Sequence, residues 1–243
     1  MIKQNIPNFL TLCNVLCGCV AIVFAFEENL VYSAYLVGIA CLFDFLDGMA
    51  ARLLNVKSEI GKQLDSLADM VSFGVLPGVM MFKMISLADP MHPFETPHSN
   101  TYSGMIGFLI IIFSAIRLAK FNIDARQTDS FIGVPTPAAT IFIASLPLIV
   151  NFHSIHEAYI SSEALYYSLI TTTFVFSFLL VAPLPLIALK FTNFSFADNK
   201  IRYIFLLLSV LLLLFFKFVG VPIIIILYLI VSIINNLLIK KIK

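Results

Sequence analysis

Four aspartates, Asp44, Asp47, Asp65 and Asp69, stand inside long apolar stretches of this 243-residue chain, and their spacing is regular. Asp44 and Asp47 are three apart and Asp65 and Asp69 four apart, so on helices each pair shares one face. Only Leu53–Ile60 separates the two stretches, which makes antiparallel neighbours of them and lets the pairs meet. Four carboxylates crowded at low dielectric repel one another, and divalent cations relieve that repulsion. Ligands that are all oxygen favour hard ions such as Mg2+ or Mn2+. A set of four suits a two-metal site, which stabilises attacking and leaving oxygens at phosphorus.

The neighbouring residues fit a phosphate. Gly48, next to Asp47, and Ala51 keep the helix face small, so a bulky ligand can approach the backbone. Arg52 adds a guanidinium suited to bidentate phosphate contact. Gly61 opens the next helix, where free amides and the helix dipole favour an anion.

The composition says what must position these groups. Hydrophobic residues make up 60% of the chain and charged residues 12%, far from the balance of a soluble domain. A membrane span needs about 20 apolar residues. On that measure eight segments are expected, at about 7–27, 30–52, 61–85, 102–121, 134–152, 164–189, 201–217 and 219–239. The last two are divided by the Gly220–Pro222 turn signal, as a hairpin would be. The expected fold is an all-α polytopic transmembrane bundle of about eight helices.

Charge placement predicts the orientation. With the N-terminus in the cytoplasm, Arg52, Lys57, Lys62, Arg117, Lys120, Arg126, Lys190, Lys200, Arg202 and the tail Lys240–Lys243 all lie inside. The opposite connections Glu27–Leu30, Leu87–Tyr102 and Asn151–Glu163 hold no Lys or Arg. Only Lys83 and Lys217 fall toward the outer side, near helix ends where they can snorkel. Both termini are therefore expected in the cytoplasm, and the four aspartates on the same side. His92, His98, His153 and His156 fall in the outer connections without carboxylates at ligand spacing. Cys13, Cys17, Cys19 and Cys41 sit in the first two apolar segments and read as packing residues. No nucleic-acid partner is expected; the partner is the lipid bilayer.

The run Asp44-Phe-Leu-Asp47-Gly48-Met-Ala-Ala51-Arg52, then eight residues, then Gly61-Lys-Gln-Leu-Asp65-Ser-Leu-Ala-Asp69 resembles the signature of the CDP-alcohol phosphotransferases. All eight fixed residues stand at the family spacing. Further stretches resemble the membrane-embedded phosphatidylserine synthase branch: Pro7-Asn8-Phe-Leu-Thr11 with Asn14, Ser66 through Pro77, Arg117 through Asn122, and Phe131 through Ala139. The likeness covers about residues 5–140.

The resemblance implies that Asp44, Asp47 and Asp65 hold two divalent cations, and that Asp69 is both ligand and general base. It implies that Gly48, Ala51, Arg52 and Gly61 surround the CDP part. The implied reaction moves the phosphatidyl group of CDP-diacylglycerol to L-serine. Arg117 and Lys120, with Asn122 and Ser72, are the candidate acceptor contacts. Glycerol 3-phosphate or inositol phosphate would be alternative acceptors. A divalent-metal transporter is the rival from another class, but its path would need polar groups across the bilayer, and here they stop on one side. The family's usual assembly makes a homodimer compatible. Residues 1–190 are expected to form the catalytic membrane domain, and 191–243 a C-terminal helix pair belonging to it.

Overall fold

The computed structural model describes residues 2–56, 58–90, 102–124, 131–152, 162–186 and 196–242. Lys57, Arg126, Lys190, Lys243, the four histidines and the loop 91–100 lie outside the described residues.

The described chain is helical almost throughout. Helices α1 (Ile2–Phe26) and α2 (Leu30–Leu53) are followed by α3 (Glu59–Met70), a π-helical turn (Val71–Val75) and α4 (Leu76–Ala88). A 3-10 turn (Ser103–Phe108) leads into α5 (Leu109–Ile123), and then come α6 (Thr136–Phe152), α7 (Ser162–Val181), α8 (Phe196–Phe216) and α9 (Gly220–Ile242). Between them β1 (Phe131–Ile132) pairs antiparallel with β2 (Pro185–Leu186). Six stretches are long and apolar enough to cross a membrane: residues 5–26, 30–53, 59–88, 103–123, 163–181 and 202–235. Helix α6 is a shorter apolar helix. The chain is an all-α polytopic membrane bundle, and the third expected segment is the continuous α3–π–α4 element.

The last of those stretches folds back on itself. The rings of Phe205 and Tyr228 lie 5.9 Å apart, where a straight helix would separate them by about 35 Å. The bend falls at Lys217, whose φ is 49°, so α8 and α9 form the hairpin that the Gly220–Pro222 signal predicts. The sixth segment is shorter than expected. Helix α7 ends at Val181, because Pro183 and Pro185 cannot continue its hydrogen-bond ladder, and the chain turns into β2 instead.

Two stripes explain the first hairpin. Pro7, Thr11, Asn14, Gly18, Ala21 and Ala25 are buried along one face of α1. On α2 the buried positions are Ser33, Ala34, Val37, Ala40 and Asp47. Small residues at the contact let the two backbones approach, which drives helix association where lipid offers no hydrophobic gain. Outside this contact Phe9, Leu12 and Leu16 stay exposed, as lipid-facing residues do.

Helix α4 is the core of the bundle, with Leu76, Met80, Met81 and Ile85 fully enclosed. The 3-10 turn before α5 lies directly on it. A Cβ on Gly107 would stand 2.5 Å from the Phe82 amide nitrogen, so only glycine fits there. Tilted ring pairs join the remaining helices: Phe142 on α6 lies 4.4 Å from Phe176 on α7, and Phe152 lies 4.8 Å from Phe218. At the end opposite the aspartates Lys83 reaches Glu28, Nζ to Oε1 3.3 Å. Its charge is met by a carboxylate of the α1–α2 turn.

Candidate active site

Helices α2 and α3 carry the aspartates, and the turn between them is built to bring them together. Asn55 takes a left-handed φ of 50°, and the amide of Val56 donates to Ala51 O at 3.0 Å. Ser58 then caps α3, its Oγ accepting from the Gly61 amide at 3.2 Å. That bond meets one of the donors a helix start leaves unpaired.

The result is a carboxylate triad. Ligand oxygens of Asp44, Asp47 and Asp65 lie within 4.8 Å of one another. Asp47 is buried, and the Thr11 hydroxyl donates to its Oδ2 at 2.6 Å. Asp69 stands one turn further along α3. It faces Asp44, Asp65 and Arg117. Its Oδ1 is buried with no hydrogen-bond partner among the described residues. A donor set made wholly of oxygens, clustered this closely, fits a hard divalent cation.

One cavity is lined by two members of the triad, and a second is lined by Arg117, which faces Asp69. The first, of about 410 Å³, is lined by Asp47 and Asp65 together with Asn8, Gly48, Ala51 and Gly61, with Lys62 at its edge. Three of the four residues expected to surround the CDP part thus line one space. The fourth, Arg52, is exposed, and its Nε donates to Gly48 O at 3.0 Å, folding the side chain along its own helix.

The second cavity, of about 490 Å³, is lined by Arg117, Lys120, Asp124, Ile132, Leu180 and Pro183. Its wall depends on Gly133, whose φ of +79° and close approach to the Leu180 carbonyl exclude a side chain. The amides of Gly133 and Val134 donate to Leu184 O at 2.9 Å and Leu179 O at 3.0 Å, locking this turn to the end of α7. Arg117 is buried, its Nε has no partner among the described residues, and its guanidinium lies 5.8 Å from the Phe121 ring centroid.

The other two candidate acceptor contacts have different neighbours. Asn122 and Ser66 exchange hydrogen bonds at 3.0 and 3.2 Å, tying α5 to α3. Ser72 is fully buried, and its hydroxyl donates to Asn14 O at 3.0 Å. Thr11 is a site residue that charge and spacing did not single out. The signal available for it was its place on the Pro7–Thr11–Asn14 stripe.

Residues 4–176 match the family model described as CDP-alcohol phosphatidyltransferase. The chain belongs to that family. It is also similar to the CDP-diacylglycerol–serine O-phosphatidyltransferase of Helicobacter pylori strain 26695, with 31% identity over 214 residues, which is 87% of this chain and 81% of that protein. The enzyme of the same name from Bacillus subtilis is 33% identical over 146 residues, covering 60% of this chain and 77% of its own length. The archaetidylserine synthase of Methanothermobacter thermautotrophicus is 29% identical over 158 residues, covering 64% and 63%. The family match runs from α1 into α7, and so contains the four aspartates, the first cavity and the Arg117–Asp124 side of the second.

Proposed function

We propose that this phosphatidyltransferase acts on CDP-diacylglycerol and L-serine, releasing phosphatidylserine and CMP. The observation that carries the reading is that aspartates of the site line one cavity and are linked through Arg117 to a second. Asp47 and Asp65 line the first, and Arg117 of the second interacts with Asp69. A nucleotide diphosphate in one and an alcohol in the other would meet at the carboxylates. The acceptor is inferred from the relatives: the names of the bacterial and archaeal enzymes share serine, while the lipid differs.

Asp44, Asp47 and Asp65 would hold two divalent cations, Mg2+ or Mn2+, with Asp69 completing the set. Bound there, the ions would neutralise the diphosphate as negative charge builds on its oxygens. Gly48, Ala51 and Gly61 leave room for the CDP part against the α2 and α3 backbones. Arg117 and Lys120 offer two cations to the serine carboxylate. Asp69 takes the proton of the serine hydroxyl. The hydroxyl oxygen bonds to the phosphorus that carries diacylglycerol, in line with the bond that breaks, and CMP leaves with that bond's electron pair. The excess of Lys and Arg at the aspartate end supports a cytoplasmic site and cytoplasmic termini. Contact between α6 and the α8–α9 hairpin, through Phe152 and Phe218, supports treating the C-terminal pair as part of one membrane domain.

The test is CMP release by purified protein with CDP-diacylglycerol, Mg2+ or Mn2+, and each acceptor in turn. L-serine is expected to be the active acceptor. Turnover with glycerol 3-phosphate and none with serine would refute the assignment.

A further inference from the structure

We propose that Asn14 is a positioning residue of this site, holding the Asp69 carboxylate in place across one bound water. The inference rests on the reading of Asp69 as the base.

Asn14 is fully buried on the inner stripe of α1. Neither its Nδ2 nor its Oδ1 has a hydrogen-bond partner among the described residues. A carboxamide brings two donors and an acceptor, and enclosing it unpaired in a membrane bundle is costly. An apolar side chain would fill the same space without that cost.

Its level in the bundle indicates what it serves. Thr11, one turn earlier on α1, touches Asp47. Helices α1 and α2 are antiparallel, so one turn further on α1 is level with one turn back on α2, at Asp44. Helix α3 runs parallel to α1. Asn8 Oδ1 would stand 2.9 Å from a Cβ on Gly61, and Ser72 donates to Asn14 O. Asp69, one turn before Ser72, therefore lies beside the turn that carries Asn14. Helical side chains lean toward the N-terminus of their helix, which aims the carboxamide at the aspartates.

Asp69 Oδ1 is the matching group, also buried and without a partner among the described residues. A donor and an acceptor on adjacent helices at one level, neither met by the described residues, are the setting of a bridging water. Such a water accepts from Asn14 Nδ2 and donates to Asp69 Oδ1. Arg117 faces Asp69 from α5, so the carboxylate is held on two flanks.

Asn14→Ala and Asn14→Ser remove nearly the same volume, but only serine keeps a donor for the water. CMP release would be measured with both substrates saturating, and the KM of each determined. The alanine variant is expected to lose kcat by about tenfold or more and the serine variant by less than about threefold, with both KM values little changed. Equal kcat in the two variants would overturn the inference, since packing alone cannot tell them apart. Asn14→Leu restores the lost volume; a folded leucine variant with wild-type kcat would overturn it as well. Asp69→Asn is the control for the underlying reading. If it retains turnover, the base assignment fails; if it is inactive while the alanine and serine variants match, only the role of Asn14 fails.

Discussion

Thr11→Val removes one hydroxyl and almost nothing else. In the structure that hydroxyl has a single proton and two acceptors in reach, Asp47 Oδ2 at 2.6 Å and Pro7 O at 3.1 Å. The shorter contact and the charged acceptor give the proton to Asp47. A hydrogen bond to a charged group contributes about 1.5–3 kcal/mol. A cation at the triad would offset part of the loss, so the lower end applies: about 1.5 kcal/mol, or roughly tenfold. The loss falls on a carboxylate proposed to hold metal, so it should show in the metal dependence. CMP release would be measured across a Mg2+ titration at saturating CDP-diacylglycerol and L-serine. Thr11→Val is expected to raise the half-activating Mg2+ concentration, lower kcat, or divide the effect between them, to about tenfold in all. Thr11→Ser keeps the donor and should stay near wild type. A valine variant that matches wild type in both quantities would show that Asp47 needs no support from α1, and the account of the triad would be wrong.

Chelation with EDTA should abolish CMP release, and Mg2+ or Mn2+ should restore it while Zn2+ does so poorly, as expected of ligands that are all oxygen; turnover that survives exhaustive chelation would refute the metal assignment. Arg117→Leu should raise the KM for L-serine about tenfold or more while leaving that for CDP-diacylglycerol within about twofold, because Arg117 lines the second cavity and not the first. Equal rises in both would place it elsewhere. Gly107→Ala should destabilise the detergent-solubilised protein by about 1–3 kcal/mol, read as a fall in melting temperature, since its Cβ would stand 2.5 Å from the Phe82 amide nitrogen.

The parts of this fold and site that are legible in the sequence are those for which a bilayer leaves few alternatives. Apolar runs of spanning length must be helices, because lipid cannot satisfy a bare backbone, and the eight expected segments correspond to α1, α2, α3–α4 and α5 through α9. What the runs conceal is where a helix changes character without becoming polar. Val71–Val75 forms a π turn, yet its residues read as a helix interior. Neighbouring helices tie it in place, with Ser72 donating to Asn14 O and Thr140 donating to Phe73 O at 3.1 Å.

The site divides along the same line. Asp44, Asp47, Asp65 and Asp69 can be found from the sequence because a carboxylate inside an apolar run is costly and persists for a reason. Thr11, Asn14 and Ser66 carry no charge and are unexceptional in a helix taken alone. Each acquires a role only from what stands across from it: Asp47 for Thr11, the level of Asp44 and Asp69 for Asn14, and Asn122 for Ser66. Arg52 and Arg117 show the converse. Both are cations at the aspartate end of a helix, alike by charge and position. Only burial separates them: Arg52 is exposed and bonded to its own helix, whereas Arg117 is enclosed and turned toward Asp69. Charge at depth therefore locates this centre, and the neutral donors around it emerge only once the helices are packed.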